Sequence, residues 1–162
     1  MILDIFYIPF CILLALQFPK LLLEEKEYSY YPVLQKLALF HFVLGIAYFF
    51  TTRNAGGDAW GYWTVPQKMS FEHFILSLKS GEGTEFMMAL NYIPSNILGM
   101  SFLSNIFFFS VLGFMGMTYF FLIAVRTVPY NTLIEGYPLF PLIFFLPNLH
   151  FWSAGVGKHT TL

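Results

Sequence analysis

The sequence predicts an all-α, polytopic membrane protein of about four transmembrane helices with one amphipathic helix lying in the interface. Three observations carry that expectation. From Phe86 to Val125 the chain runs forty residues without an acidic or basic side chain. As straight helix that run would be about 60 Å long, roughly twice the hydrocarbon thickness of a bilayer, so it must break. Charged residues make up 10% of the chain and aromatics 21%, with a mean hydropathy of +0.66. Soluble domains carry about 25% charged residues. Third, apolar stretches of spanning length recur on either side of short charged clusters.

The first span is expected at about Ile2 to Leu23, with Pro19 and Lys20 near its exit. It does not read as a cleaved signal peptide. Asp4 is present, no basic n-region precedes the apolar run, and no small-x-small site comes before Pro19. Glu24-Glu25-Lys26-Glu27 follows, then a second span at about Val33 to Thr52, where Lys36 can snorkel to the interface. A polar stretch covers residues 53–85. The long run breaks most plausibly at Asn91-Tyr92-Ile93-Pro94-Ser95-Asn96, which leaves a third span at about Ser104 to Val125. A fourth apolar segment, Gly136 to Gly157, contains Pro138, Pro141 and Pro147, which predict a kinked or unwound span.

Inside the polar stretch, Phe71, Phe74, Ile75 and Leu78 share one helical face. Pro66 suits a first turn and Ser80-Gly81 an end. Glu72, His73 and Lys79 occupy the other face, the pattern of a helix lying in the membrane interface. A helix packed on other spans is the alternative. Lys20, Lys26 and Lys36 crowd one short loop and Arg126 lies in another, whereas Arg53, Lys68 and Lys79 are spread out. That density puts the short loops inside and residues 53–85 outside, as an extracytoplasmic loop. The formal net charge of −1 offers no basic surface for nucleic acid. Cys11 has no intrachain partner and reads as a packing residue.

Two clusters could carry chemistry. The first runs from Arg53 to Trp63, directly after the second span. Gly56 and Gly57 allow a turn that aims Asp58 toward the membrane, where an acid must be hydrated, paired or coordinated. Asp58 is therefore a candidate general base or a ligand to a divalent cation, or else a solvated acid paired with Arg53. Trp60, Tyr62 and Trp63 read either as an interfacial aromatic belt or as a platform for the apolar face of a sugar. The second cluster runs from Leu146 to Lys158. His150 is a titratable group deep in an apolar span, hence a candidate binding residue, or else a neutral histidine bonded to a neighbouring helix. Gly155-x-Gly157-Lys158 lacks the spacing and the strand of a nucleotide-binding loop, but Lys158 can meet a lipid phosphate as a point charge. His41 reads as a packed residue and His73 as a solvated one. Gly113 and Gly116, with Ser110, permit close approach to the third span. No zinc-ligand spacing or Ser-His-Asp pattern is present.

With Gly57-Asp58, Tyr62-Trp63, the amphipathic helix after them, and Leu146-Pro147-Asn148-Leu149-His150-Phe151-Trp152-Ser153 running to Gly157-Lys158, the chain resembles the N-terminal part of EpsG-like polysaccharide polymerases and, more loosely, of GT-C glycosyltransferases. The resemblance implies a single transmembrane domain over residues 1–162, a fragment of a longer multi-pass protein of the bacterial inner membrane. It implies glycan polymerisation or sugar transfer from a polyprenyl-phosphate donor at the outer face. Asp58 would activate the acceptor hydroxyl or help to hold a divalent cation. Arg53, Trp60, Tyr62, Trp63, His150 and Lys158 would contact substrate, Lys158 at the lipid phosphate. The second motif continues in those families with an acid after the lysine, whereas here His159-Thr160-Thr161-Leu162 follows. A non-catalytic membrane subunit with a partner membrane protein, or a truncated product without activity, is the alternative. A small transporter piece is a third, disfavoured by the lack of a membrane-embedded acid.

Overall fold

A computed structural model describes residues 3–55, 57–127, 133–134 and 137–157. Its secondary structure is helical apart from one antiparallel pairing of Leu133–Ile134 with Tyr137–Pro138. Three helical stretches are long and apolar enough to cross a membrane. The first is α1 (Asp4–Gln17), extended by a tight turn over Phe18–Leu21. The second is α2 (Tyr31–Ala55), entered through a tight turn over Glu25–Tyr30. The third is α6 (Phe102–Thr127). Between α2 and α6 lie α3 (Asp58–Thr64), α4 (Phe71–Ser80) and α5 (Gly83–Tyr92).

The pattern of α2 explains the packing. Leu34, Leu37, Ala38, His41, Phe42, Gly45 and Tyr48 are buried at spacings of three and four. Leu39, Val43, Ile46 and Phe50 form a second stripe at the same spacings and are 40–59% exposed. On α1, Ile5, Phe6, Phe10 and Leu13 are 59–70% exposed. Such faces are costly in water and natural against lipid.

Direction follows from contacts at the ends. Ser104 Oγ donates to Asp4 at 2.5 Å and Tyr7 OH donates to the Leu98 carbonyl at 3.0 Å, so α1 and α6 begin together. Arg126, at the end of α6, grips the buried Glu27 carboxylate through Nε and Nη2, both at 2.8 Å, and reaches the Leu22 carbonyl. This second end therefore gathers the exit of α1, the entry to α2 and the end of α6. Helix α2 runs antiparallel to the other two.

The forty-residue uncharged run loosens where a break was expected, and the chain turns a few residues later. Helix α5 stops at Tyr92, a wider π-type turn occupies Ile93–Ile97, and Gly99 turns with φ of 58° before α6 begins. Ser95 Oγ and Asn91 Nδ2 donate back to carbonyls four residues earlier, which satisfies backbone loosened by Pro94. Asn105 on α6 donates to Asn91 on α5 at 2.8 Å, both fully buried.

The amphipathic helix is present but begins later than Pro66. Pro66 opens a separate tight turn, and Ser70 caps α4 by accepting from the His73 amide. Gly81, at φ 69°, ends it as expected. Phe74 stacks on Tyr92 of α5 at 4.5 Å, while Phe71, Leu76 and Leu78 remain exposed.

The fourth apolar segment forms no helix of spanning length. It breaks into α7 (Leu139–Leu142), a tight turn at Ile143–Phe145, α8 (Pro147–Ser153) and an irregular stretch to Gly157. Even so, it follows α2 from its start to the level of Tyr48. Phe140 packs on Tyr30, Phe145 on Phe40, and His150 on His41, and the Val156 carbonyl accepts from Tyr48 OH. From the level of Tyr30 to that of Tyr48 is about 27 Å of helix, close to a hydrocarbon thickness of about 30 Å.

Candidate functional site

A cleft of about 300 Å³ opens at the end of the bundle where α2 finishes. It is lined by Tyr48, Thr51 and Thr52 of α2, by Gly57, Asp58, Ala59 and Tyr62 around α3, and by Phe151, Trp152, Val156 and Gly157 of the broken segment. Two stretches a hundred residues apart in sequence thus share one cavity. Asp58 is the sole carboxylate among its lining residues. It occupies the first turn of α3 and is exposed, so it faces the cleft as a hydrated acid. The neighbouring oxygens are hydroxyls of Thr51, Thr52, Tyr48 and Tyr62. Thr52 and Thr51 donate to the carbonyls of Tyr48 and Ala47, each at 2.8 Å, which turns their lone pairs outward.

The cleft wall built by residues 151–157 ends in irregular buried backbone, whose carbonyls need donors. Side chains supply three along the broken segment. Ser110 Oγ on α6 donates to the Ala154 carbonyl. Tyr48 OH donates to the Val156 carbonyl at 3.0 Å. His150 Nε2 meets the Phe144 carbonyl at 2.5 Å. Three glycines allow the approach. A Cβ on Gly113 would collide with the Ser153 carbonyl, one on Gly155 with the Tyr48 ring, and one on Gly45 would stand 2.9 Å from Ser110 Oγ. Ala154 and Val156 are fully buried as a result.

The structure redistributes the residues expected to contact substrate. Asp58 and Tyr62 line the cleft together. Arg53 does not pair with Asp58. Helix α2 continues through Arg53 to Ala55, and the guanidinium lies over Phe49, one turn back, at 5.6 Å. Trp60 and Trp63 are not cleft residues either. Both pack on Phe102 at the start of α6, and Trp63 Nε1 donates to the Met100 carbonyl at 3.0 Å. His150 is fully buried below the cleft, with its Nδ1 2.8 Å from His41 Nδ1 and its Nε2 on Phe144, so neither ring nitrogen is free for a ligand. Lys158 lies outside the described residues; the one before it, Gly157, lines the cleft. His41 is packed as expected, and exposed His73 stands 3.6 Å from Glu85. Ser110 and Gly113 provide the close approach to α6, whereas Gly116 faces open space.

Tyr48, Phe151 and Trp152 are cleft residues that composition does not single out. Their signal was available only in part: Phe151 and Trp152 belong to the second cluster, but Tyr48 is one aromatic in a span full of them. Among the described residues no group of three or more His, Cys, Asp or Glu side chains is gathered that could hold a metal ion. The lone carboxylate of Asp58 could hold a divalent cation only together with a substrate phosphate. With neutral hydroxyls beside it, the carboxylate can also accept a proton. No protein-family model, curated protein or solved structure matches the chain.

Proposed function

We propose that this chain is the front portion of a multi-pass enzyme of the bacterial inner membrane that transfers a sugar from a polyprenyl-phosphate donor to a growing glycan. The observation that carries this reading is the convergence of Asp58 with Tyr62 and the Phe151–Gly157 wall on one cleft at a bundle end. The volume stands at the lower edge of small-ligand pockets, which run about 300–1,000 Å³, and suits one sugar ring better than a chain. Rings of Tyr48, Tyr62 and Trp152 supply apolar faces with polar edges.

In this reading the acceptor hydroxyl gives its proton to the Asp58 carboxylate as its oxygen bonds to the anomeric carbon. The bond from that carbon to the donor's phosphate oxygen breaks, and polyprenyl (pyro)phosphate leaves with the electron pair. Lys158, one residue past the lining Gly157, stabilises the departing charge. Residues 137–157 make the fourth pass as a broken span, α4 lies in the outer interface, and Asp58 faces outward.

The test is sugar transfer by membranes carrying the full-length protein of which this chain is the front portion. Asp58→Asn should lower turnover by about 10²–10⁴-fold, the usual contribution of a general base. Undiminished turnover in the variant removes Asp58 from the chemistry. A full-length protein that transfers no sugar with Asp58 intact favours a second reading, a non-catalytic subunit. The open face at Gly116, beside exposed Leu112, Tyr119 and Phe120, is where a partner helix would then lie. Crosslinking from that face should find it.

A further inference from the structure

Below the cleft, His41 of α2 and His150 of α8 meet through Nδ1 atoms 2.8 Å apart, both fully buried, with ring centroids 5.1 Å apart. Phe40 packs edge-on to His150, and Phe114 tilts over His41. The proton positions follow from the partners. A carbonyl only accepts, so His150 Nε2, at 2.5 Å from the Phe144 carbonyl, carries hydrogen. A neutral His150 then has a bare Nδ1, which accepts. His41 Nδ1 must donate to it, which leaves His41 Nε2 bare. Among the described residues no donor reaches that Nε2, and the Ser110 backbone group that faces it is an accepting carbonyl. With both rings neutral, the two imidazoles hold opposite tautomers, and His41 Nε2 is the one ring nitrogen of the seam left without a partner.

We propose that the His41–His150 pair is a positioning device, in which opposite imidazole tautomers fix the broken segment against α2 and so set its wall of the cleft. It takes the cleft of the proposed transferase as the site being positioned. The geometry is directional. His150 lies one turn before Ala154 and six residues before Val156, whose carbonyls receive Ser110 and Tyr48. His41 lies one turn before Gly45 and two before Tyr48 on the same buried face. The histidine bond is thus the lowest of three latches joining the segment to the spanning helices, and the one whose two partners are both side chains. Sliding the segment by one residue would separate all three. No acid or base faces the pair from α2, α6 or residues 140–157 among the described residues. Tyr48, the other titratable group on that face, gives its hydroxyl to Val156.

The experiment combines two readouts on the full chain in lipid nanodiscs. The first is nitrogen spectroscopy of ¹⁵N-histidine protein in a His73→Gln, His159→Gln background. The expected signature is an unprotonated Nε2 on one ring, an unprotonated Nδ1 on the other, and a correlation across the Nδ1 pair. Two rings of the same tautomer overturn the proposal. The second is the distance distribution between spin labels at Asn54→Cys on α2 and Leu149→Cys on α8, with Cys11→Ser. His41→Leu, which removes the donor, should lose the narrow distribution of the parent. His41→Asn, whose side-chain amide replaces the Nδ1 donor, should restore it. A narrow, unshifted distribution in His41→Leu overturns the positioning role. Should His41→Leu fail to fold, the parent's tautomer spectrum still decides. Neither measurement uses a donor sugar, so a failure of the transferase reading leaves both results standing.

Discussion

Replacing Gly113 by alanine tests the packing that builds the cleft wall. Gly113 lies in α6, where the backbone of Ser153 crosses so closely that an added Cβ meets its carbonyl oxygen and carbon. Those are backbone atoms of a buried stretch and cannot swing away as a side-chain tip could. Overpacking of this kind costs about 1–3 kcal/mol. A shift large enough to relieve it also loosens the Ser110–Ala154 and His41–His150 bonds, each worth about 0.5–1.5 kcal/mol. Alanine returns about 0.5–1 kcal/mol of helix preference. The net loss is about 2–3 kcal/mol. Gly116→Ala is the internal control, since the same helix gains the same preference and its Cβ points into open space. It should stabilise by about 0.5–1 kcal/mol. For a chain of this size about 2–4 °C accompanies each kcal/mol, so a difference of about 2.5–4 kcal/mol should separate the two melting points by about 5–16 °C in nanodiscs. The assay is thermal unfolding followed by tryptophan emission. If Gly113→Ala melts at or above Gly116→Ala, the broken segment does not pack on α6 as described.

Three further outcomes follow from other parts of the structure. Arg126→Ala leaves the Glu27 carboxylate, 2% exposed, without its main partner. Its loss should lower the denaturant midpoint clearly more than exposed Lys26→Ala does, because Glu27 is left buried with its charge uncompensated. Asn105→Leu breaks the buried amide bond between α5 and α6 and should cost about 0.6–1.7 kcal/mol, the span found for hydrogen bonds between membrane helices. Single cysteines at positions 24 and 58, in a Cys11→Ser background, should react with impermeant thiol reagents from opposite sides of sealed vesicles. Labelling of both from one side would refute the α2 crossing.

The three long apolar helices were legible because their signal is local. Charges at Asp4, Glu24 to Glu27, Arg53 and Arg126 bracket the apolar runs, and the observed helices follow these brackets within a few residues. The loosening before α6 was legible for the same reason, since Pro94 lacks an amide and the chain passes it in a π-type turn before Gly99 redirects it. Gly81 marked the end of α4. Its start was misplaced because proline suits a first turn of any helix, and here Pro66 opened a separate turn while Ser70 made the cap. The site was legible only in pieces. Asp58 and the Phe151–Gly157 stretch each looked chemical, but nothing in their spacing says that the later segment climbs α2 and ends beside α3. Arg53 illustrates the limit. Five residues from Asp58 is close in a loop, but α2 extends through Arg53 and separates the two. The histidine pair was out of reach altogether, since 109 residues separate its members and only the crossing brings them together.

One physical requirement connects the broken segment to the cleft. A continuous helix would satisfy its own carbonyls and could rotate or slide against α2 at little cost. Pro141 and Pro147 prevent this by removing amide donors. The carbonyls of Phe144, Ala154 and Val156, where the segment is not continuous α-helix, take side-chain donors: His150 from within the segment, and Ser110 and Tyr48 from the long helices α6 and α2. The two outer bonds fix a height along the bundle, and His150 ties its own carbonyl bond to α2 through His41. In a bilayer, where water cannot substitute for a missing donor, they resist slippage more strongly than apolar contact would. Placing an irregular, fully buried Ala154–Val156 stretch at the end of such a segment yields a cleft wall held by polar bonds rather than by side-chain bulk. Gly157 leaves the cleft side of this wall without a side chain, while Gly155 lets the Tyr48 ring pack directly on it. A wall of that kind can hold a carboxylate and a ring-shaped ligand in register without filling the cavity, which the same span as an unbroken helix of leucines and phenylalanines would do.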